Sequence, residues 1–177
     1  MHPQLPLVIL GSARRQSNTE HYVKYVFESL PYQLIDLLDH NISVYKYDSD
    51  YPEGDDFEEL AKAFIAHNTI VFATPVYWYT MSASMKTVFD RITDLVTIQK
   101  KMGRQLKGKS VFVLAVGTDE DLPEGFEIPF RLTADYLNMH YKRAIYFSSK
   151  HLRAETENQS LRKAFIGEVI KSTLSDE

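Results

Sequence analysis

Asn68-Thr-Ile-Val-Phe-Ala-Thr74, closed by Pro75, is rich in β-branched and aromatic side chains and carries no alternation of apolar and polar residues. Such a run reads as a strand buried on both faces. On its amino side, Phe57 to His67 (FEELAKAFIAH) reads as a helix with acids in its first turn, where the helix dipole favours them. On its carboxyl side, Ser82 to Val96 reads as a helix with Met85, Val88, Phe89, Ile92 and Leu95 on one stripe. A buried strand between two amphipathic helices is the unit of a parallel sheet.

The same alternation extends in both directions. Leu5 to Leu10 is a short apolar strand ending at Gly11, Thr19 to Leu30 a helix stopped by Pro31, and Tyr32 to Leu38 a second strand. Tyr45 to Asp56 is polar and turn-rich, and its acidic part from Asp48 reads as a mobile loop. Gln99 to Lys109 is a basic connector into the strand Ser110 to Val116, which Gly117 ends. Ile128 to Leu137 reads as a helix, Tyr141 to Phe147 as a fifth strand and Ser160 to Leu174 as a closing helix. Five β-α units with near-continuous apolar strands predict an α/β, three-layer αβα sandwich. Its sheet would be five-stranded and parallel, in the order 2-1-3-4-5. No repeat, linker or low-complexity tract divides the chain, so residues 1–177 read as a single domain.

Composition narrows the function. Of 177 residues, 44% are hydrophobic and 25% charged, which is the balance of an ordinary globular domain. The net charge of −4 offers no basic stripe, so nucleic acid is not an expected partner. No apolar stretch reaches membrane-spanning length, so no membrane insertion is expected. There is no cysteine, which removes disulfides, thiolate metal sites and a cysteine nucleophile, and fits a cytoplasmic protein. The histidines His2, His21, His40, His67, His140 and His151 are scattered without metal-ligand spacing. The acidic run Asp48 to Asp56 matches no EF-hand register, and G-x-S-x-G is absent.

In such sheets ligands sit beyond the carboxyl ends of the strands, at the switch point of the strand order. Three loops meet there. Gly11 to Thr19 places Ser12, Arg14, Ser17, Asn18 and Thr19 between a buried strand and a helix start. That is an anion site suited to a phosphate monoester, or an ordinary helix cap; Gly11 would allow the tight turn. Thr74 to Ser82 carries Pro75, Val76, Tyr77, Trp78 and Tyr79, a wall for a planar ring or a packing surface for another subunit. The third loop begins Gly117-Thr118 and continues with Asp119, Glu120 and Asp121, which read as a solvated stretch. Lys100, Lys101, Arg104, Lys107 and Lys109 read as a solvated connector rather than a site for a 2′-phosphate.

These pieces together resemble the NAD(P)H-dependent FMN reductases and quinone reductases of flavodoxin-like fold. Gly11, Ser12, Arg14, Ser17 and Thr19 match their G-S-x-R-x-x-S-x-T phosphate loop. Thr74, Pro75, Tyr77, Trp78, Tyr79, Met81, Ser82, Lys86, Asp90 and Arg91 match their T-P-x-Y-W-Y-x-M-S-x-x-x-K-x-x-x-D-R segment. The resemblance runs from Leu5 to about Phe147. It implies FMN, with its phosphate held by Ser12, Arg14, Ser17, Asn18 and Thr19. Its ribityl chain and ring would lie along Pro75 to Tyr79, with Gly117 and Thr118 close by. It further implies NAD(P)H as electron donor, and a quinone, flavin, azo or nitroaromatic compound as acceptor in a ping-pong cycle. No side chain would be catalytic, because the flavin carries the chemistry. Lys86, Asp90 and Arg91 would support the loop or meet a partner subunit of a homodimer or homotetramer. Relatives often have Gly-Gly after the fourth strand, where this chain has Gly117-Thr118 and three acids. That acidic loop favours the alternative of a flavodoxin-type electron-transfer protein without its own nicotinamide site.

Overall fold

The computed structural model describes residues 5–174; His2 and both ends of the single-domain span lie outside the described residues. Five parallel strands, β1 (Leu7–Leu10), β2 (Gln33–Asp36), β3 (Thr69–Pro75), β4 (Ser110–Gly117) and β5 (His140–Ser148), form one sheet in the order β2-β1-β3-β4-β5. Between them run α1 (Asn18–Val26), α2 (Phe57–Ala66), α3 (Ala83–Thr97), α4 (Lys100–Gly103), α5 (Ile128–Tyr136) and α6 (Glu155–Leu174). This is the flavodoxin-like three-layer sandwich.

Alternate strand residues feed two cores. Val8, Leu10, Val71, Ala73, Phe112, Leu114 and Val116 pack beneath α1 and α6, against Val23, Val26, Phe165 and Val169. Leu7, Ile9, Ile70, Phe72, Val111 and Val113 pack beneath α2, α3 and α5, against Phe64, Met85, Val88 and Phe130. β1, β3 and β4 are buried along their whole length, so both of their faces must be apolar.

Several element ends depart from the sequence reading. The first strand starts at Leu7 rather than Leu5, since Pro6 has no N–H to give a ladder. The first helix stops at Val26, and the chain turns through Phe27 before Pro31. The last helix begins at Glu155, five residues ahead of Ser160; its first turn is polar and carries no apolar stripe to read. The basic connector is partly ordered: it contains α4 and a 3-10 turn at Arg104–Leu106, with Leu106 buried. Lys109 departs from the solvated reading. It is 8% exposed, and its Nζ donates to the carbonyls of Ile65 (2.7 Å) and His67 (2.8 Å) at the end of α2. Burial depresses the pKa of that ammonium.

Candidate functional site

A cleft of about 140 Å³ opens beyond the carboxyl ends of the central strands. Its walls are Ser12, Arg14, Ser17, Asn18 and Thr19 from the β1–α1 loop, Pro75, Val76 and Tyr77 after β3, and Val116, Gly117 and Thr118 from β4. Ser149, from the loop after β5, completes it. Ten of the expected residues therefore meet in one place. Trp78 and Tyr79 do not line the cleft; they stand in solvent, 92% and 68% exposed. Val116 and Ser149 were not singled out by sequence. Ser149 sits in an unremarkable Ser-Ser-Lys stretch with no motif to mark it.

The first loop is locked before α1 begins. Ser17 caps the helix, its Oγ accepting from the N–H of Glu20 (3.1 Å). The Glu20 carboxylate accepts from the Gln16 N–H (2.7 Å), and its bond to Lys24 (2.6 Å) holds its pKa below the usual carboxylate range. The N–H groups of Asn18 and Thr19 have no acceptor within the helix, as helix geometry requires. Ser12 and Thr19 are 2% and 1% exposed, yet neither hydroxyl hydrogen-bonds to any described residue. Unpartnered hydroxyls and free helix-start N–H groups lining one cleft suit an anion. Arg14 is exposed and unpaired among the described residues, whereas Arg15 is spent on Asp36 (3.8 Å) and on a closer bond to Asp39.

The loops are joined to one another. Ser82 caps α3, and its Oγ donates to the Gly11 carbonyl (2.5 Å). Gly11 eases this approach rather than a left-handed turn: an added Cβ would sit 3.1 Å from Met85 Cβ and 3.2 Å from Ser82 Oγ, so the two segments would have to move apart slightly. Thr74 Oγ1 accepts from the Ser82 N–H (3.0 Å) and so closes the base of the aromatic loop. Tyr77 and Thr80 exchange both backbone hydrogen bonds (2.9 and 3.1 Å). Between them Trp78 and Tyr79 both take positive φ, 47° and 65°. This is the primed two-residue hairpin turn, which Asn-Gly normally fills.

Arg91 is a support residue. It is 3% exposed and donates to Asp94 (2.8 Å), Asp55 (2.8 Å) and the Ser43 carbonyl (3.0 Å). Its guanidinium lies 3.5 Å from the centre of the Tyr51 ring. Desolvation works against the Asp55 carboxylate, but its bonds to Arg91 and Ser43 prevail and lower its pKa to about 2. The acidic loop expected to be mobile is thus anchored to α3. Lys86 and Asp90 form an i,i+4 pair (2.5 Å) with both side chains about half exposed. Asp119, Glu120 and Asp121 are exposed and stand outside the cleft wall. The lysine cluster lies at the opposite pole, by the amino end of β4. Among the described residues no group of His, Asp or Glu is placed to hold a metal, and no helix is long and apolar enough to cross a membrane.

Residues 6–153 match the family described as NADPH-dependent FMN reductase. In Bacillus subtilis, YwqN, named an NAD(P)H-dependent FMN-containing oxidoreductase, is 26% identical over 95 residues, 51% of this chain and 52% of that protein. The chain thus spans about half the length of that relative. YrkL of the same organism, named an NAD(P)H oxidoreductase, is 27% identical over 136 residues, 70% of this chain and 78% of YrkL. The solved structure of general stress protein 14 from Treponema denticola, in complex with FMN, superposes with a TM-score of 0.64 at 18% identity, covering 95% of this chain and 99% of that one. At that identity the likeness speaks for the fold.

Proposed function

The chain belongs to the NADPH-dependent FMN reductase family, and from that membership we propose that it binds FMN in the cleft and passes electrons from NAD(P)H to a small-molecule acceptor. One observation carries this reading. Ser12 and Thr19, both buried residues that line the cleft, carry hydroxyls without a partner among the described residues, beside a hairpin that presents three aromatic rings. Ser12, Ser17, Asn18 and Thr19 hold the phosphate with the free N–H groups of α1, and Arg14 adds charge from the rim.

At about 140 Å³ the cleft is well below the roughly 300 Å³ of a typical small-ligand site. It takes the phosphate and ribityl chain, and the ring lies across its mouth. There Pro75, Val76 and Tyr77 line one side, Gly117 and Thr118 the other, and Trp78 and Tyr79 close over the ring from the hairpin tip. Held there, FMN would supply the redox chemistry, taking a hydride from NAD(P)H and returning the electrons to a quinone, flavin, azo or nitroaromatic acceptor. The residues around it position the ring and keep one face open, so donor and acceptor use that face in turn. Exposed Leu132 (53%) and Tyr136 (74%) on α5, beside Phe89 and Val96 of α3, offer an apolar face for a homodimer or homotetramer. A cytoplasmic location accords with the lack of cysteine.

The test is an anaerobic titration. Protein loaded with FMN and desalted is mixed with NADPH, then NADH, while flavin absorbance is followed. Retained flavin that bleaches rapidly is the expected result, and the faster donor identifies the nicotinamide. Loss of all flavin on desalting would sink the reading of a resident cofactor. Retained flavin that neither donor bleaches favours an electron carrier served by a protein partner. The exposed acids Asp119 to Asp121 beside the cleft favour that second reading.

A further inference from the structure

The segment leaving β4 is held from behind by β5. The Gly117 carbonyl accepts from the N–H (2.8 Å) and the Oγ (2.9 Å) of Ser149. Ser148 Oγ reaches the Thr118 carbonyl (3.4 Å), and Tyr146 Oη donates to the Asp119 carbonyl (2.8 Å). Arg153 in turn donates to the Tyr146 carbonyl (2.9 Å). Tyr146 also fills the space behind Gly117, where an added Cβ would fall 2.6 Å from its hydroxyl.

All three carbonyls of this segment are therefore held by residues at the carboxyl end of β5. In a trans peptide the following N–H points the opposite way. The Thr118 N–H thus points away from Ser149 and the Asp119 N–H away from Ser148, while the Tyr146 bond fixes the next peptide, at the end of the segment. The sheet ladder towards β3 ends one step earlier, at the Val76 N–H to the Val116 carbonyl (2.8 Å). No described residue accepts from the Thr118 or Asp119 N–H, and Thr118 lines the cleft.

We propose that Tyr146 is a positioning residue: its hydroxyl pins the Asp119 carbonyl at the far end of the segment whose start Ser149 holds, so that the Thr118 N–H between these two ties stays turned to the cleft, at the edge of the bound ring that gains negative charge on reduction. The proposal rests on the FMN reading above. Donors fixed in advance at a site of growing charge stabilise the charged form selectively. Tyr146 thereby tunes the flavin's potential without touching the flavin.

Tyr146→Phe keeps the ring behind Gly117 and removes only the hydroxyl; Ser149→Ala loosens the same segment at its start. FMN affinity is measured by fluorescence quenching, and the midpoint potential against a redox dye. Oxidised FMN should bind Tyr146→Phe within about twofold of the parent. Reduced FMN should bind about tenfold more weakly, which for a two-electron couple is a potential about 30 mV more negative. A purely structural Tyr146 would lower the melting temperature of the apoprotein and leave the potential in place, and that result overturns the proposal. If the parent protein itself retains no FMN, the cofactor reading fails, and the proposal with it. Retention of FMN with unmoved potentials in both variants sinks the brace alone.

Discussion

Arg91 brings two carboxylates, Asp55 and Asp94, into the protein with it, and among the described residues it is the only cation that either of them pairs with. Removing one partner of a buried pair leaves the others desolvated and uncompensated, at about 3–5 kcal/mol. Arg91→Ala should therefore lower the melting temperature by about 6–20 °C, at roughly 2–4 °C per kcal/mol for a chain of this size. Arg91→Lys should not restore it, because an ammonium cannot span both acids and stack on Tyr51. The network also sets an acid limit. The Asp55 pKa is depressed in the folded state, so its contribution is full above the unfolded value near 4 and disappears as pH falls towards 2. Urea melts at pH 6, 4 and 2.5 should show the parent losing about 2 kcal/mol more than Asp55→Asn across that window. The resemblance implied only that Arg91 supports its loop or meets a partner subunit; its carboxylate partners were not legible in the sequence. Asp55 sits in a run of acids, and its partner is 36 residues away on another element. Ser12, Ser17 and Thr19 were legible, because a strand, a glycine and a helix cap define their positions locally.

At the scale of the element, the β3–α3 hairpin sets local geometry against its own residues. Trp78 and Tyr79 occupy left-handed backbone that costs an aromatic residue about 1–3 kcal/mol at each position. The turn persists because both ends are fixed, by the Thr74–Ser82 bond below and the Tyr77–Thr80 pair above. The double variant W78N/Y79G supplies the residues the turn prefers. It should raise the stability of the apoprotein by about 1–2 kcal/mol in urea titration, while weakening FMN binding at least tenfold. A gain or no change in both quantities would leave the rings without a role in binding. The sequence marked this loop by its aromatics, but left-handed Trp and Tyr run against backbone preference, so the turn could not be foreseen. The elements themselves were foreseen, since strands with apolar residues on both faces and striped helices have distinct periods. The exceptions were α4, hidden in the basic connector, and the first turn of α6, whose polar residues follow neither period.

Across the molecule, the alternation of β and α fixed the layer order and so brought four loops to one end of the sheet. Its quaternary arrangement is not written in that pattern, and the α3–α5 face is where it should be sought. Sedimentation of the parent should give a dimer or tetramer, and Leu132→Glu with Tyr136→Glu should release monomers that keep their circular dichroism. Monomeric parent protein would refute this interface. The far pole is shaped by Lys109, which closes the last carbonyls of α2 with its own charge. An acylating reagent in solution meets the other lysines of that connector at the surface, but reaches Lys109 only when the end of α2 and the start of β4 part. Its rate of modification is thus a clock for the opening of the sheet at the end remote from the ligand, and it would slow when a tightly held ligand at the other end makes such openings rarer.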